Sequence, residues 1–308
     1  MARLRIRTPA DFGFLPVVYS HGWFQCAPFH WDLETGILTR VVRDEGGLPT
    51  LLRMSEPARG LLQVTVGVEG RLSPDARRYF ASLVTHMLQL ERDISDFHAL
   101  CRRHDHLALL PALGAGRLLR CPTPWEELVR AIAATNVAWP QAVRMISLVA
   151  GLGEPIDGMH AWPAPERVLE AGEEKLRERC RLGYRAPYII ELAARIVDGE
   201  LDLGPIRRGE VPDDELRKLF LGVKGIGPAT TDYLMILSGR TDRLSIDSAV
   251  YAYVGEAHFG GARPDAKQIE QLYEPFGQWR ALAFWFEFLQ EKWWRPAGFD
   301  FTRSEAPS

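Results

Sequence analysis

The chain has 308 residues, of which 46% are hydrophobic and 25% charged, so it is long enough to build two domains around a large core. Its formal net charge of −3 neither requires nor excludes a nucleic-acid partner. The attraction of a protein to nucleic acid depends on the local electrostatic field over the binding face and not on the net charge. No stretch approaches the roughly 18 apolar residues of a membrane span, and the N-terminus lacks a signal-peptide pattern, so we expect a cytoplasmic protein with no membrane partner.

The first 70 or so residues have a β pattern. Residues 37–42, 51–54 and 61–66 are strand-like and are separated by turn-rich pieces. The intervening stretch 21–31 is dense in aromatic residues, and on its own it is more typical of a core than of a site. From Ser73 the pattern becomes helical, with a capping serine followed by Pro74 in the first turn.

The second half contains a helix–hairpin–helix pattern followed by an aspartate. Residues 222–227 read GVKGIG between two helical patterns, and Pro228 stands where the second helix should begin. Gly225 and Gly227 lack a Cβ, so the backbone can take φ > 0 and come close to a partner. The outward amides then suit an anion such as DNA phosphate. The alternative is an ordinary tight turn between two helices, with glycine at a helix end.

Beyond the hairpin, Asp247 is placed to cap a third helix. The cysteines are Cys26, Cys101, Cys121 and Cys180, and they lie far apart without a CxxC pair. We therefore expect free thiols, with no zinc site and no disulfide framework.

The run from residue 219 to Asp247 resembles the signature of the HhH-GPD superfamily of DNA glycosylases, whose branches include endonuclease III, 8-oxoguanine glycosylase and 3-methyladenine glycosylase II. The spacing of the cysteines departs from the iron–sulfur ligand set of the endonuclease III branch. The resemblance implies an α+β, mostly α fold, in which an N-terminal antiparallel β-sheet domain packs on an all-helical HhH-GPD core. The domains implied are 1–115 (sheet with connecting helices), 116–295 (hairpin 219–238, catalytic loop 239–247) and a poorly ordered tail, 296–308.

The resemblance implies that Asp247, twenty residues after Gly227, is the catalytic carboxylate. Breaking an N-glycosidic bond creates positive charge on the sugar, which a fixed carboxylate stabilises while it orients the attacking water. The alternative is a plain capping aspartate, and Asp242 is the nearest competing carboxylate. Bifunctional relatives carry a lysine nucleophile where this chain has Ala229, and Lys224 lies elsewhere in the hairpin. An alanine cannot form an imine, so we expect hydrolysis without strand cleavage.

The same resemblance implies two sets of DNA contacts. DNA would be bound by the hairpin and the first turn of the next helix, namely Val223, Lys224, Gly225, Ile226, Gly227 and Thr230. The hairpin carbonyls offer a place for a monovalent cation, and we expect no metal or other cofactor. The opposite strand would be met by Asn136, Tyr184 and Arg185. Gln141 replaces an arginine of the 8-oxoguanine branch, which weakens any preference for cytosine opposite the lesion. The alternative has Tyr184 packed in an interhelical turn and Arg185 solvated.

The base pocket implied by the resemblance consists of Tyr233, Trp285 and Ala229. The base-reading glutamine of the 8-oxoguanine branch falls on Ala281, so the aromatic platform remains while the hydrogen-bonding group is missing. Electron-rich rings suit cationic alkylated bases. The sequence thus predicts a monomeric, monofunctional glycosylase that flips a damaged, alkylated purine out of double-stranded DNA. An oxidised-purine glycosylase and a non-catalytic lesion- or junction-binding protein are the alternatives.

Overall fold

The structure is a computed structural model and describes residues 1–295. Five strands form one antiparallel sheet in the order β1-β5-β4-β3-β2. They are β1 (Ala2–Arg7), β2 (Phe29–Asp32), β3 (Ile37–Arg43), β4 (Pro49–Ala58) and β5 (Leu61–Val66). All three strands predicted from alternation are present. A small hairpin of β6 (Pro155–Ile156) and β7 (Met159–His160) forms a second sheet, which packs against the first one at Val41 and Leu51.

Helices make up most of the remaining chain. The helices before the hairpin are α1 (Phe14–Val18), α2 (Pro74–Met87), α3 (Ser95–Cys101), α4 (Leu110–Leu113), α5 (Pro124–Ala134), α6 (Trp139–Ala150), α7 (Pro165–Glu178), α8 (Ala186–Val197) and α9 (Gly204–Arg208). Those of the hairpin and after it are α10 (Asp213–Leu221), α11 (Pro228–Leu237), α12 (Ser248–His258), α13 (Ala266–Tyr273) and α14 (Arg280–Leu289), which leads into the π-helical turn Gln290–Trp294. Short 3₁₀ turns cover Gly22–Gln25, Asp105–Leu107, Gly183–Arg185 and Glu274–Trp279. The predicted cap of α2 is confirmed, since Ser73 Oγ accepts a hydrogen bond from the Ala76 amide at 3.1 Å.

The sheet and the helices share one continuous hydrophobic core. Buried ion pairs lie inside it. Glu126 on α5 accepts hydrogen bonds from Arg40 on β3 and from Arg130, whose Nε lies 2.8 Å from Oε1. The next residue on α5, Glu127, accepts two hydrogen bonds from the Arg120 guanidinium: Nε donates to Oε1 at 2.9 Å and Nη2 donates to Oε2 at 2.6 Å. Charges removed from water need partners of this quality, so the Arg40–Glu126 pair holds β3 against α5, and the Arg120–Glu127 pair holds the preceding loop against the same helix.

The architecture confirms the predicted α+β fold with an N-terminal antiparallel sheet and a helical remainder. The boundary at 115/116 stays a prediction, and the predicted tail 296–308 lies outside the described residues. Cys26, Cys101, Cys121 and Cys180 are free and buried. Within residues 1–295, no helix has the length and apolarity needed to cross a membrane.

Candidate active site

The hairpin joins α10 to α11 through a glycine-containing turn. Gly225 has φ +86°, so the left-handed conformation expected of a hairpin glycine is present there. Its missing Cβ matters for packing as well, because that atom would lie 2.7 Å from Cδ2 of Tyr188 on α8. Gly227 differs from the expectation. Its φ is −92°, which any residue can adopt, and a Cβ there would meet nothing within 4 Å.

The turn and the start of α11 carry unpaired backbone donors. The amides of Gly225, Gly227 and Thr230 have no protein acceptor among residues 1–295. They surround the N-terminus of α11, where the helix dipole favours negative charge. These amides are where the sequence predicts an anion site, and the groups available to an anion there belong to the backbone and not to side chains. The site itself stays a prediction.

The side chains of the turn are mostly unavailable to a ligand. Val223 and Ile226 are buried and hold the hairpin in the core. Lys224 is exposed, and its Nζ lies 2.6 Å from Oε2 of Glu191 on α8. That ion pair directs the lysine along α8.

Asp247 caps α12, as the sequence predicts. Its Oδ1 accepts hydrogen bonds from the amides of Ala249 (2.9 Å) and Val250 (3.0 Å), and the side chain is exposed. Oδ2 has no protein donor in the described part of the chain. One oxygen therefore fixes the carboxylate, while the other remains open to an outside atom.

The loop before Asp247 is fixed to the helices on both sides. Ser245 Oγ donates to the carbonyl of Ala229 at 2.8 Å, which ties the loop to the first turn of α11. At the other end, the Ala281 amide donates to the Thr241 carbonyl at 3.0 Å, and Thr241 Oγ1 donates to the Gln278 carbonyl at 2.8 Å. The hydrogen bond between Ser245 and Ala229 thus holds the loop against α11 only two residues before Asp247.

Aromatic side chains from three distant parts of the chain meet behind α11. The centroids of Tyr233 and Trp285 are 5.6 Å apart, with an interplanar angle of 35°. Trp23 lies edge-on to Tyr233 at 6.0 Å, and His21 lies edge-on to it at 6.3 Å. We call these four residues the aromatic cluster. The structure therefore brings the two predicted pocket aromatics together and adds two more from the N-terminal region.

Sequence reasoning placed Trp23 and His21 in the core and missed their contact with Tyr233. Their signal was the aromatic density of residues 21–31, which by itself cannot distinguish core from pocket. Trp285 is anchored by its indole N–H, which donates to the Ser20 carbonyl at 2.7 Å. Ala229, the third predicted pocket residue, is partly buried one helical turn before Tyr233.

The aromatic cluster is electrically neutral. Burial lowers the pKa of His21 to about 4, although its hydrogen bond to the Leu119 carbonyl at 2.6 Å acts in the opposite direction. Burial likewise raises the pKa of the Tyr233 hydroxyl well above its usual value of 10.0. Both side chains are uncharged near neutral pH, so the cluster presents ring faces and edges without a positive charge of its own.

The residues predicted to meet the opposite strand lie close together. Tyr184 is 49% exposed, and the Arg185 guanidinium stacks on its ring at 4.4 Å. Arg185 is only 6% exposed, so it is not a solvated residue. Its Nε donates to the Thr135 carbonyl at 3.1 Å, and its Nη2 donates to the Asn136 carbonyl at 3.3 Å.

These contacts bind the turn Gly183–Arg185 to the end of α5. Asn136 is exposed there with φ +49°. Gln141, on α6, is also exposed. The guanidinium of Arg185 is bonded inside the protein, whereas Asn136 is exposed and the Tyr184 ring is half-exposed, so both can meet a ligand. The assignment of all four to the opposite strand stays a prediction.

No group of three or more His, Cys, Asp or Glu side chains within residues 1–295 is arranged to hold a metal ion. The predicted monovalent cation at the hairpin would use backbone carbonyls, and it stays a prediction.

Comparison with known proteins bears on this geometry. No family model matches the chain. A protein of Methanothermobacter thermautotrophicus named "Probable N-glycosylase/DNA lyase" is 26% identical over 220 residues, which are 63% of this chain and 69% of that protein.

Solved structures share the fold. A 3-methyladenine DNA glycosylase from Archaeoglobus fulgidus superposes with a TM-score of 0.77 at 18% identity, over 94% of this chain and 99% of that one. The 8-oxoguanine glycosylase/lyase of Clostridium acetobutylicum, in complex with double-stranded DNA, gives 0.72 at 19% identity, over 94% and 95%. The relatives and structural neighbours of this chain are thus DNA glycosylases of the HhH-GPD type, which confirms the resemblance inferred from residues 219–247.

Proposed function

We propose that this chain is a monofunctional DNA glycosylase that removes an alkylated purine from duplex DNA. The observation that supports this most is the placement of Asp247. Its carboxylate is fixed by two amides at the start of α12, and its loop is bonded to the hairpin through Ser245 and Ala229. A phosphate on the free amides of Gly225, Gly227 and Thr230 would bring the adjoining sugar towards this carboxylate.

The chemistry that follows is hydrolysis at the sugar C1′. The bond between C1′ and the base nitrogen breaks, and its electron pair leaves with the base. Positive charge develops on the sugar, and the ionised Asp247 stabilises it. Water then adds its oxygen to C1′ and gives up a proton, for which the open Oδ2 is a suitable acceptor. Bound DNA would cover the exposed carboxylate and strengthen these interactions by excluding solvent.

The proposal of a monofunctional enzyme rests on Ala229. Lyase chemistry of this type needs an amine that attacks C1′, and a methyl side chain has none. Lys224, the lysine of the turn, is paired with Glu191 and lies on the α8 side of the hairpin. Because a relative is named "Probable N-glycosylase/DNA lyase", lyase activity is the alternative that the experiment below must exclude.

The preference for an alkylated purine rests on the aromatic cluster. The neutral rings of Tyr233 and Trp285 offer π faces to a cationic base, and such attraction strengthens when water is excluded. Ala281 has only a methyl side chain, so it has no side-chain group that could form hydrogen bonds with a neutral purine. It is also buried, and its backbone amide is already bonded to the Thr241 carbonyl. A cationic base is also a good leaving group, which reduces the need for an acid at the base.

An oxidised-purine glycosylase is the second candidate. It is favoured by the arrangement of Asn136, Tyr184 and Arg185, which form one bonded unit at the end of α5. Three residues held together in this way could recognise the base opposite the lesion. An enzyme for alkylated purines has less need of such recognition.

Release of base from defined duplexes tests these proposals. Duplexes that each contain 3-methyladenine, 7-methylguanine, hypoxanthine, uracil or 8-oxoguanine are incubated with the protein, and the free base is measured. We expect release of the methylated purines and no covalent adduct on borohydride reduction. Release of 8-oxoguanine alone would favour the second candidate, and an adduct would exclude the monofunctional proposal. No release from any duplex would leave a DNA-binding protein without catalysis.

A further inference from the structure

The five-stranded sheet has one face against the helices and one face turned away from them. Side chains alternate along each strand, and those of the inner face, such as Leu4, Val64 and Met54, belong to the common core. On the outer face, the β6–β7 hairpin covers Val41 and Leu51. Beside that cover, the outward side chains of β1 are exposed and those of β5 are half-buried, so this part of the sheet is open to solvent.

Arginines occupy the open part of the outer face. Arg3, Arg5 and Arg7 alternate along β1 and are exposed. The register places Arg3 opposite Thr65 and Thr65 opposite Arg53, so Arg53 on β4 lies in the same row two strands away. We call Arg3, Arg5, Arg7 and Arg53 the arginine face.

No acidic side chain of residues 1–295 forms an ion pair with the arginine face. The acidic residues on the five strands are Asp32 and Glu56. Asp32, on the opposite edge strand, accepts hydrogen bonds from two backbone amides of its own turn, and Glu56 accepts one from the Phe14 amide at 3.0 Å. Arg43 on β3 provides the contrast, since it is paired with Glu154. The whole chain has 40 acidic and 37 basic residues, so the excess of positive charge on this face is local.

Protection of the sheet edge explains only part of the arginine face. Charged side chains on an edge strand discourage the addition of another strand, and β1 is an edge strand. Arg53 lies on β4, the central strand, where that reason does not apply. An unpaired arginine at the centre of the sheet, aligned with those of β1, extends the positive field across three strands and suits a large anionic partner.

Spacing and chemistry favour a nucleic-acid backbone as that partner. Side chains at positions i and i+2 of a strand lie about 6.6 Å apart, so the arginines of β1 form a regular row of positive charges. Thr65 and Gln63 on β5 add a hydroxyl and an amide between β1 and β4. Arginine together with threonine and glutamine side chains is a usual set of phosphate contacts, and such contacts carry no sequence information.

We propose that the arginine face is a second DNA-binding surface, which holds the phosphate backbone of a duplex without regard to sequence. The face is turned away from the helices that carry the hairpin and Asp247, so the duplex on it is a different segment from the one at the candidate active site. One chain therefore holds two segments of DNA. The proposal does not depend on catalysis, because no residue of the hairpin, the Asp247 loop or the aromatic cluster belongs to the arginine face.

The number of bound duplexes tests this proposal. An undamaged, dye-labelled duplex of about 12 base pairs is added in excess to the full chain at about 50 mM salt, and sedimentation velocity gives the number of duplexes per chain. We expect two duplexes on the wild type and one on a triple variant that combines Arg3→Gln, Arg5→Gln and Arg7→Gln. One duplex on the wild type and none on the triple variant would support the arginine face and remove the hairpin as a DNA site. One duplex on each protein, or none on either, would overturn the proposal.

A charge-matched control combines Arg102→Gln, Arg103→Gln and Lys267→Gln. These side chains are exposed, lie outside the sheet and form no ion pair within residues 1–295. The control should bind two duplexes, and both triple variants should keep the wild-type Tm because the substituted side chains are exposed. Loss of the second duplex from the control as well would overturn the assignment to the arginine face.

Arg53→Gln tests the central strand separately. Each phosphate contact adds about 0.9 to the slope of log affinity against log salt. Between about 50 and 200 mM salt, the affinity for the second duplex should therefore fall about 150-fold with four arginine contacts and about 40-fold in Arg53→Gln. An equal fall in the two proteins would overturn the place of Arg53 in the surface.

An anionic lipid surface is the other polyanion with the right charge. Cosedimentation with vesicles of phosphatidylserine and phosphatidylcholine distinguishes it from DNA. Vesicle binding that the Arg3, Arg5 and Arg7 triple variant loses, together with one duplex on each protein, would assign the arginine face to lipid and overturn the DNA proposal.

Discussion

The hairpin with Asp247 and the aromatic cluster are both parts of one candidate site, and they are assembled in opposite ways. The first is contiguous in sequence, partly exposed and made largely of backbone groups, with amides at Gly225, Gly227 and Thr230. The second joins residues more than 200 positions apart, from Trp23 to Trp285, and consists of interlocked side chains. Substitutions should therefore separate them, since the hairpin depends on local conformation and the cluster depends on packing.

Loss of the Trp285 ring should give the largest effect on the cluster. Trp285→Ala removes the ring beside Tyr233 and the hydrogen bond to the Ser20 carbonyl, so we expect a loss of about 3 to 5 kcal/mol in the free energy of unfolding. Release of an alkylated base should also fall about thirtyfold, because the cation–π contact is lost. Denaturant unfolding and single-turnover release measure the two effects.

Trp285→Phe is the control, because it keeps an aromatic face and removes the indole N–H. It should retain most of the release rate. If Trp285→Ala, assayed while folded, released the base as fast as the wild type, the cluster would not be the base pocket.

The two hairpin glycines should respond differently to alanine. Gly225→Ala places a Cβ at φ +86° and 2.7 Å from the Tyr188 ring, so we expect a loss of about 2 to 3 kcal/mol in stability. Gly227→Ala adds a methyl group to open space at φ −92°, so the Tm should not change. It should instead weaken DNA binding, because the methyl group stands where a backbone phosphate would approach. Equal thermal stabilities for the two variants, measured by calorimetry, would show that the hairpin does not have this geometry.

The aromatic cluster should also make stability depend on pH, whereas Gly225 and Gly227 cannot titrate. The pKa of His21 is about 4 in the folded chain against 6.5 when unfolded, so its contribution is complete above 6.5 and is lost as the pH falls through 4. When the pH is lowered from 7 to 5, the free energy of unfolding should fall in both proteins. We expect the fall to be about 1 to 2 kcal/mol smaller in His21→Gln than in the wild type.

Urea unfolding at the two pH values measures this difference. His30→Gln, at an exposed histidine, is the control and should behave as the wild type does. An unchanged pH dependence in His21→Gln would mean that His21 is not held neutral by the cluster.

The same contrast explains what the sequence could predict. The hairpin, the cap at Asp247 and the strands were predictable because each depends on residues within a few positions of one another. His21 and Trp23 were missed because their contact with Tyr233 depends on how the N-terminal region packs on α11. The burial of Arg185 against the Thr135 carbonyl was missed for the same reason. Even inside the hairpin, sequence could not show that Gly225 uses the left-handed region while Gly227 leaves an open space.

The most direct test of the central claim compares two aspartates of the same loop in single-turnover release of a methylated purine. Asp247 is fixed at the α12 N-terminus, and Asp242 is exposed five residues earlier. Asp247→Asn should slow base release by about 100- to 1,000-fold with duplex affinity unchanged, because it removes the charge that stabilises the sugar cation. Asp242→Asn should release base at the wild-type rate. Wild-type release by Asp247→Asn, or loss of release in Asp242→Asn alone, would contradict the account.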